Sequence, residues 1–352
     1  MGHARSALTR REFVQSAVAG AGAVLVGRTG LAAPVVHTAG RSGLDPIVLG
    51  SGAHQYECIH DWLKPPPGVM WGDTHGLAQD SAGRIYVAHT VHAESSKPHA
   101  VAVYGENGAF ETAWGDEFRG GAHGLDVRTE AGGEFLYHCD TQRRLVVKTD
   151  LAGTEVWRAD CPMQSGVYAS RDTWCPTNVA FAPDGGLFVG DGYGSSFVHR
   201  YTAGGEYVST VLRPGGDKGQ VACPHGLWVD DRAGTPRLAV ADRGNRRIQY
   251  FSLEGEHQGF VTAGVRMPCH FKTRDGLLLV PDLESVVTLL DRNDAVVAHL
   301  GDGHPSALRG RPREEFIPGK FIHPHTAIFL RTGDILVAEW VPIGRITLLR
   351  RA

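Results

Sequence analysis

The sequence predicts an all-β fold, a six-bladed β-propeller, from two repeated patterns in a chain with 46 glycines among 352 residues. A proline or small residue, followed by His-Gly or a close relative, opens a strand six times, at starts about 44–56 residues apart. A period of this size is typical of radially arranged sheet units. The six openings are Thr74-His75-Gly76-Leu77, Ala122-His123-Gly124-Leu125, Pro176-Thr177-Asn178-Val179, Pro224-His225-Gly226-Leu227, Pro268-Cys269-His270-Phe271 and Pro324-His325-Thr326-Ala327.

Each opening is followed by the same order of short strands. A turn with Asp or Gly leads to an apolar second strand that ends in a polar residue, and then come a third strand and an outer strand. Four strands per repeat are the composition of a propeller blade. We expect the polar residues to accept hydrogen bonds from the backbone of the next turn, which is a structural role. They are His89, Asp140, Asp191, Asp242, Asp282 and Glu339.

The two ends of the chain are expected to share one blade. Blade six has no outer strand after its third strand, residues 345–349, whereas residues 55–60 ahead of blade one have the pattern of an outer strand. Pairing of these N- and C-terminal strands would close the ring and remove its exposed edges. We therefore expect a propeller over residues 51–352 and an irregular leader over residues 34–50.

Residues 1–33 are expected to be a twin-arginine export signal. A paired arginine lies within Thr9 to Val14, and an apolar stretch from Ala17 to Val26 leads to a small-residue zone. That stretch is too short to span a membrane as a helix. The protein is thus expected to be periplasmic or secreted. An oxidising compartment permits disulfides, and Cys161 and Cys175, which bracket one loop, are the expected pair.

The charge balance excludes a nucleic-acid surface. The net charge is −3, and the charged residues, 21% of the chain, are scattered. We expect a monomer without a membrane span that acts on a small-molecule or peptide substrate.

Histidines recur where a metal ion could bind. The first strand of every blade lines the central channel, so the residues of the six openings should form a ring. Its members on blades two, four and six are His123, His225 and His325, and three imidazoles that converge suit Zn²⁺ with one open position. The alternative is that each histidine only bridges neighbouring blades. Blades one, three and five contribute a chemically mixed set of further channel candidates, namely His75, Thr177 and Cys269 or its neighbour His270.

Two residues after second strands are candidates for catalysis. Tyr193 and Arg243 follow the second strands of blades three and four, so both should reach the same face of the propeller. A phenol can act as a base if a nearby cation lowers its pKa, and an arginine can supply that charge or bind a substrate carboxylate. The alternative is a tyrosine that packs over the face and an arginine in a surface ion pair.

The repeats resemble NHL-repeat propellers, and Pro176 to Phe251 resembles peptidyl-α-hydroxyglycine α-amidating lyase. The resemblance implies a zinc ion bound by three channel histidines, a catalytic tyrosine and an active-site arginine. It implies cleavage of the C–N bond of an α-hydroxyglycine to an amide and glyoxylate. By their motifs, the implied residues are His123, His225 and His325 for zinc, Tyr193 as the base and Arg243 as the arginine.

This chain departs from the family pattern at three positions. Thr90 stands where the family has a further active-site arginine, and Gly194 stands where it has a cysteine. Thr326 stands where the family has an aspartate ligand of a structural Ca²⁺ ion.

Three functions follow from this reading. The leading hypothesis is a zinc-dependent carbon–nitrogen lyase acting on an α-hydroxyglycine-like substrate. The first alternative is a non-catalytic exported propeller that binds a peptide, a glycan or a protein. The second is a metal-dependent hydrolase, although a lactonase-type propeller would be expected to have calcium with carboxylate and Asn ligands.

Overall fold

The computed structural model describes residues 46–305 and 307–352, and these form six mainly antiparallel sheets arranged as a six-bladed propeller. The predicted fold class is confirmed. The expected export signal and most of the expected leader lie outside the described residues, and export and the monomeric state stay predictions. In the described part of the chain, no helix is long and apolar enough to cross a bilayer.

The first three blades follow the predicted order of strands from the channel outwards. Blade three also has a short fifth strand that pairs in parallel with its outer strand. Blade one contains Thr74–Gln79, Ile85–His89, Val101–Tyr104 and Phe110–Trp114; blade two contains Ala122–Glu130, Gly133–Asp140, Leu145–Asp150 and Glu155–Ala159; blade three contains Asn178–Phe181, Leu187–Gly190, Val198–Tyr201, Tyr207–Pro214 and Gln220–Val221.

The other three blades have the same order, and short 3₁₀ helices lie in the connections. Blade four contains Pro224–Asp230, Arg237–Asp242, Arg247–Phe251 and His257–Val261; blade five contains Lys272–Arg274, Leu277–Asp282, Val286–Leu290 and Val296–Leu300; blade six contains Pro324–Phe329, Ile335–Glu339, Arg345–Arg351, His54–Ile59 and Val48–Ser51. The 3₁₀ helices of the described residues are Asp116–Phe118, Met163–Ser165, Arg171–Thr173, Arg243–Asn245 and Arg313–Glu315.

Blade six is built from both ends of the propeller, as predicted. His54–Ile59 pairs antiparallel with Arg345–Arg351, and Ile59 lies opposite Leu348. The irregular leader was expected to run to residue 50, and this is wrong for its last residues, because Val48–Ser51 adds an outermost fifth strand. A run of four residues is too short to show a strand period, but its pairing with His54–Ile59 buries Leu49 completely.

The hydrophobic core lies between neighbouring blades. One cluster, for example, joins Tyr86 and Val101 of blade one to Leu125 and Leu136 of blade two. A middle strand is covered by a neighbouring blade on each face, so it is apolar without alternation, as Leu238, Ala239, Val240 and Ala241 show at 0% exposure. This packing explains why the second strands were easy to find in the sequence.

The carboxylates that end the second strands have the structural role that the sequence predicted. Asp282, fully buried, accepts hydrogen bonds from the backbone N–H groups of Arg266, Met267 and Glu284, at 2.7, 2.8 and 2.9 Å. Each such carboxylate binds backbone N–H groups of the turn after its strand, of the loop that enters its blade, or of both. These hydrogen bonds fix the turn or loop to the blade. In blade one His89 takes this place, with Nδ1 accepting from the N–H of Val91 at 3.0 Å.

The expected disulfide between Cys161 and Cys175 is wrong. All six cysteines are free thiols. Burial raises the pKa of both Cys161 and Cys175 to about 11, so both are protonated thiols at neutral pH. The loop that they bracket contains the 3₁₀ helices Met163–Ser165 and Arg171–Thr173.

An ion pair crosses the channel. Asp126 on the first strand of blade two lies 2.6 Å from Nζ of Lys272 on the first strand of blade five, and these two blades face each other across the ring. Lys272 also lies over the ring of Trp228, 4.5 Å from its centroid. Both charged groups are largely buried. A cavity of about 600 Å³ opens beside the pair, and none of the channel histidines is among the residues that line it.

We expect Lys272→Met to lower the free energy of unfolding by about 3–5 kcal/mol, because Asp126 is then left as a buried charge without its partner. The double variant Asp126→Asn/Lys272→Met should recover most of this loss. Urea denaturation measures both. The matched control is Arg350→Met, which removes an exposed partner of Glu57 and should cost at most about 1 kcal/mol. Equal losses in Lys272→Met and Arg350→Met would contradict the role of the channel ion pair.

Candidate metal centre

Four channel histidines lie in β-bulges at the start of first strands. In blade one, Thr74 pairs with His89 and Gly76 pairs with Ala88, so His75 is an extra residue between them. The same shift of register occurs where blades two, four and six begin. A bulge bends the strand and re-aims a side chain. The bulges therefore turn these imidazoles towards one another across the channel. The four residues are His75, His123, His225 and His325.

The three predicted ligands come together. The ring centroids of His123, His225 and His325 lie 4.7–4.9 Å apart, and all three side chains are buried. His75 joins them, with its centroid 4.6 Å from that of His123 and 4.5 Å from that of His325. The nitrogens of His75, His123 and His325 that could bind a metal all lie within 4.8 Å of one another, so this group contains His75 in place of the predicted His225.

The other channel candidates have different environments. The hydroxyl of Thr177 donates to the carbonyls of Gly190 and Pro224, and the thiol of Cys269 lies beside Arg243. His270 is buried in the channel, but neither of its ring nitrogens has a hydrogen-bond partner among the residues that the structure describes. Of this mixed set, only His75 therefore belongs to the histidine cluster. The sequence did not distinguish His75 from the other members of the set.

The three predicted ligands have the same orientation. Nδ1 of His123 lies 2.9 Å from the carbonyl oxygen of Thr177, and Nδ1 of His225 lies 2.8 Å from that of Cys269. Nδ1 of His325 lies 3.1 Å from the carbonyl oxygen of His75. A carbonyl oxygen only accepts, so each Nδ1 carries the hydrogen and each Nε2 keeps a lone pair. This arrangement is the one that metal-binding histidines use.

The same contacts explain the repeated His-Gly pair. A Cβ on Gly124 would lie 2.3 Å from the carbonyl oxygen of Thr177, and a Cβ on Gly226 would lie 2.3 Å from that of Cys269. These are the carbonyls that hold His123 and His225. Glycine is thus required because the backbone of the next blade approaches closely to orient the preceding histidine.

Burial keeps the four imidazoles neutral. It lowers the pKa of His123 to about 3, and it lowers the pKa of His75, His225 and His325 well below the ordinary value, with further contributions from Arg243 and the other histidines. A neutral imidazole is the form that binds a metal ion. The cluster contains no carboxylate, so its chemistry does not fit Ca²⁺, which takes oxygen ligands.

Tyr193 closes the cluster on one side. Its hydroxyl lies 3.2 Å from Nε2 of His123 and 3.0 Å from Nε2 of His225, while 43% of the residue remains exposed. The hydroxyl has one hydrogen but faces two acceptor nitrogens, so in one of the two contacts an oxygen lone pair faces a nitrogen lone pair. A cation bound at the Nε2 atoms would replace this repulsion by attraction. The nitrogen and oxygen atoms of the site therefore fit a divalent metal.

Arg243 lies beside Tyr193. The sequence predicted that these two residues reach the same face of the propeller. Its guanidinium is 5.1 Å from the centroid of the Tyr193 ring, and its nearest polar partners are the thiols of Cys223, at 3.2 Å, and Cys269, at 3.8 Å. Burial raises the pKa of Tyr193 to about 12, and the charge of Arg243 acts in the opposite direction. Among the ion pairs of the described residues none involves Arg243, so its charge is free to meet an anion.

A second arginine was missed by the sequence analysis. Arg309, from the long loop before blade six, donates to Asp73 at 2.9 Å and stacks over the ring of Trp340. The backbone N–H of Asp73 donates to the hydroxyl of Thr90 at 3.0 Å. A guanidinium thus lies close to Thr90, although it comes from another blade. The loop has no repeat, and no sequence signal singled it out.

Comparison with known proteins supports the fold. No family model matches the chain. A gluconolactonase from Xanthomonas campestris is 16% identical with a TM-score of 0.55, over 90% of this chain and 95% of that one. A catalytically inactive histidine-to-alanine variant of virginiamycin B lyase from Staphylococcus aureus, solved with quinupristin, is 10% identical with a TM-score of 0.54, over 83% and 99%. The protein is thus a six-bladed propeller of the architecture that this hydrolase and this lyase share.

We expect Gly226→Ala to destabilise the protein by about 1–3 kcal/mol, because its new methyl group must displace the Cys269 carbonyl. The displaced carbonyl would also release Nδ1 of His225. The matched control is Gly259→Ala on the outer strand of the same blade, where a Cβ meets no atom within 4 Å. Urea denaturation of both variants measures the difference, and the idea fails if the two variants unfold alike.

Proposed function

We propose that this protein is a metal-dependent lyase that cleaves the C–N bond of an α-hydroxyglycine-like substrate, giving an amide and glyoxylate. The observation that carries the proposal is the position of the Tyr193 hydroxyl between Nε2 of His123 and Nε2 of His225, with Arg243 beside the ring. A proton-accepting group, nitrogen ligands and a free cation are the parts that such a reaction needs.

The metal is proposed to be Zn²⁺, held through Nε2 of His123, His225 and His325. Bound there, it would act as a Lewis acid that lowers the pKa of a nearby hydroxyl group. The protein contributes three neutral imidazoles whose orientation is set by backbone carbonyls, so little reorganisation is needed on binding.

Tyr193 is proposed to move the proton. In its deprotonated form, Oη of Tyr193 accepts the proton of the substrate hydroxyl. The electrons of that O–H bond form the carbonyl of glyoxylate while the C–N bond breaks, and the proton passes to the nitrogen of the leaving amide. No oxidant or reductant is required, because the O–H pair becomes the second bond of the carbonyl, and the C–N pair passes to nitrogen and forms the new N–H bond with the transferred proton. The positive charge of Arg243 favours the phenolate.

The substrate carboxylate is proposed to bind Arg243 on the exposed side of Tyr193. An unpaired guanidinium can form two parallel hydrogen bonds with a carboxylate. Arg309 supplies a second positive charge near Thr90, although Asp73 shares it. The Lys272–Asp126 pair crosses the channel, so we infer that substrate enters from the face that carries Tyr193.

Virginiamycin B lyase gives this proposal a precedent on the same fold, because its histidine-to-alanine variant is catalytically inactive. The gluconolactonase comparison is the reason to test lactone hydrolysis beside it. A bound metal without either activity would point to another metal-dependent reaction, and absence of a metal would favour the non-catalytic alternative.

We expect the zinc-loaded protein to release glyoxylate from a peptide that ends in α-hydroxyglycine. Tyr193→Phe should lower kcat at least about 100-fold while the zinc content stays the same, because only the proton acceptor is lost. The matched control is Tyr207→Phe on the outer strand of the same blade, whose hydroxyl contacts only Thr210 among the described residues. Full activity of Tyr193→Phe would rule out the proposed base.

We expect about one zinc ion per chain after dialysis against a metal buffer. His123→Ala and His325→Ala should each lose it, because their Nε2 atoms are removed. His99→Ala, which alters a partly exposed histidine paired with Asp116, should keep it. Elemental analysis of the folded variants measures the content, and a metal-free wild-type protein would remove the basis of the lyase proposal.

A further inference from the structure

A fourth histidine lies against the proposed ligands. Nδ1 of His75 is 3.3 Å from Nε2 of His325, and the two rings stand edge to face. The ring of His75 is also 4.6 Å from that of His123, centroid to centroid. The edge between His123 and His325 is therefore shared by two triangles of imidazoles, one completed by His225 and the other by His75.

The hydrogen atoms in this cluster can be assigned. Nδ1–H of His325 donates to the carbonyl of His75, so Nε2 of His325 has only a lone pair. Its contact with Nδ1 of His75 is attractive only if that Nδ1 carries a hydrogen. An ion bound at Nε2 of His325 would take this acceptor away. The buried N–H of His75 would then point at a cation, which is unfavourable.

The other tautomer of His75 removes this conflict. With the hydrogen on Nε2, Nδ1 presents a lone pair to the ion. Either tautomer of a neutral imidazole has one N–H and one lone pair, so this change requires no change of charge. Rotation of the ring away from the ion is opposed by packing, since the residue is only 6% exposed.

We propose that His75 is a fourth protein ligand of the metal ion, bound through Nδ1, beside Nε2 of His123, His225 and His325. The inference rests on the metal centre of the proposed function but not on the lyase reaction.

Four imidazoles change which metal suits the site. Catalytic zinc takes three protein ligands and keeps the fourth position of its tetrahedron open, so a fourth imidazole would close it. A four-histidine site that still binds substrate needs five or six coordination positions. Imidazole-rich sites of this kind suit Fe²⁺, Co²⁺, Ni²⁺ or Cu²⁺ as well as zinc in an expanded geometry.

The test uses Co²⁺, whose absorption spectrum reports its coordination number. Full-length metal-free protein is titrated with Co²⁺, and X-ray absorption counts the imidazole ligands. We expect weak d–d bands and four imidazoles in the wild-type protein. His75→Phe keeps a planar aromatic ring without a ligand atom, and we expect it to bind Co²⁺ at least about 100-fold more weakly, with one imidazole fewer.

The matched control is His270→Phe. His270 is also buried in the channel, at 4% exposure, but its ring is not part of the ring contacts that join His75, His123, His225 and His325. It should bind Co²⁺ as the wild-type protein does. Because the ligand count is measured on the wild-type protein, it decides the proposal even if His75→Phe does not fold.

Two results would overturn the proposal. The first leaves the three-histidine metal centre in place, and the second removes it. Three imidazoles in the wild-type protein, with unchanged affinity in His75→Phe, would remove the fourth ligand and leave a three-histidine centre. Absence of Co²⁺ binding would remove the centre altogether. Loss or absence of glyoxylate release bears on the lyase reaction alone.

Discussion

The structure depends on one kind of interaction in the histidine cluster. In it, Nδ1 of a channel histidine donates a hydrogen bond to a backbone carbonyl of the neighbouring blade. It joins the fold to the site, because the same backbone approach that requires Gly124 and Gly226 fixes the direction of Nε2 of His123 and of His225. The bond from His325, which is followed by Thr326, to the carbonyl of His75 joins the first strands of blades six and one, where the ring closes.

Electrostatics divides the channel into two ends. The histidine cluster is neutral and lacks carboxylates, while Arg243 on the Tyr193 side has no anionic partner among the ion pairs of the described residues. Towards the other end, Lys272 is neutralised by Asp126. An anionic substrate would thus be attracted to the Tyr193 face, and partial burial of the guanidinium would strengthen their interaction by lowering the local dielectric constant.

The fold was predictable because every blade repeats one pattern and buries its middle strands on both faces. The convergence of His123, His225 and His325 followed from the same period. What the sequence did not reveal are features that depend on the path of the backbone. The repeat gives His75 the same position as the other channel histidines, but it does not show which of the six ring positions meet. The loop that carries Arg309 to Asp73 has no periodic signal. The disulfide prediction failed for the related reason that closeness in a loop does not set the geometry of two thiols.

The cluster is less symmetric than its six-fold scaffold, and this asymmetry bears on its chemistry. Blades two, four and six alone would place three imidazoles evenly about the axis. His75, from the blade between six and two, lies against the edge formed by His123 and His325, whereas Tyr193 lies against the edge formed by His123 and His225. An ion bound in this ring would therefore meet a fourth imidazole at one edge and a phenol at another. In the proposed reaction, a substrate oxygen that approached the ion from the face of Tyr193 would meet the Tyr193 hydroxyl, so proton transfer and metal binding would occur at the same point.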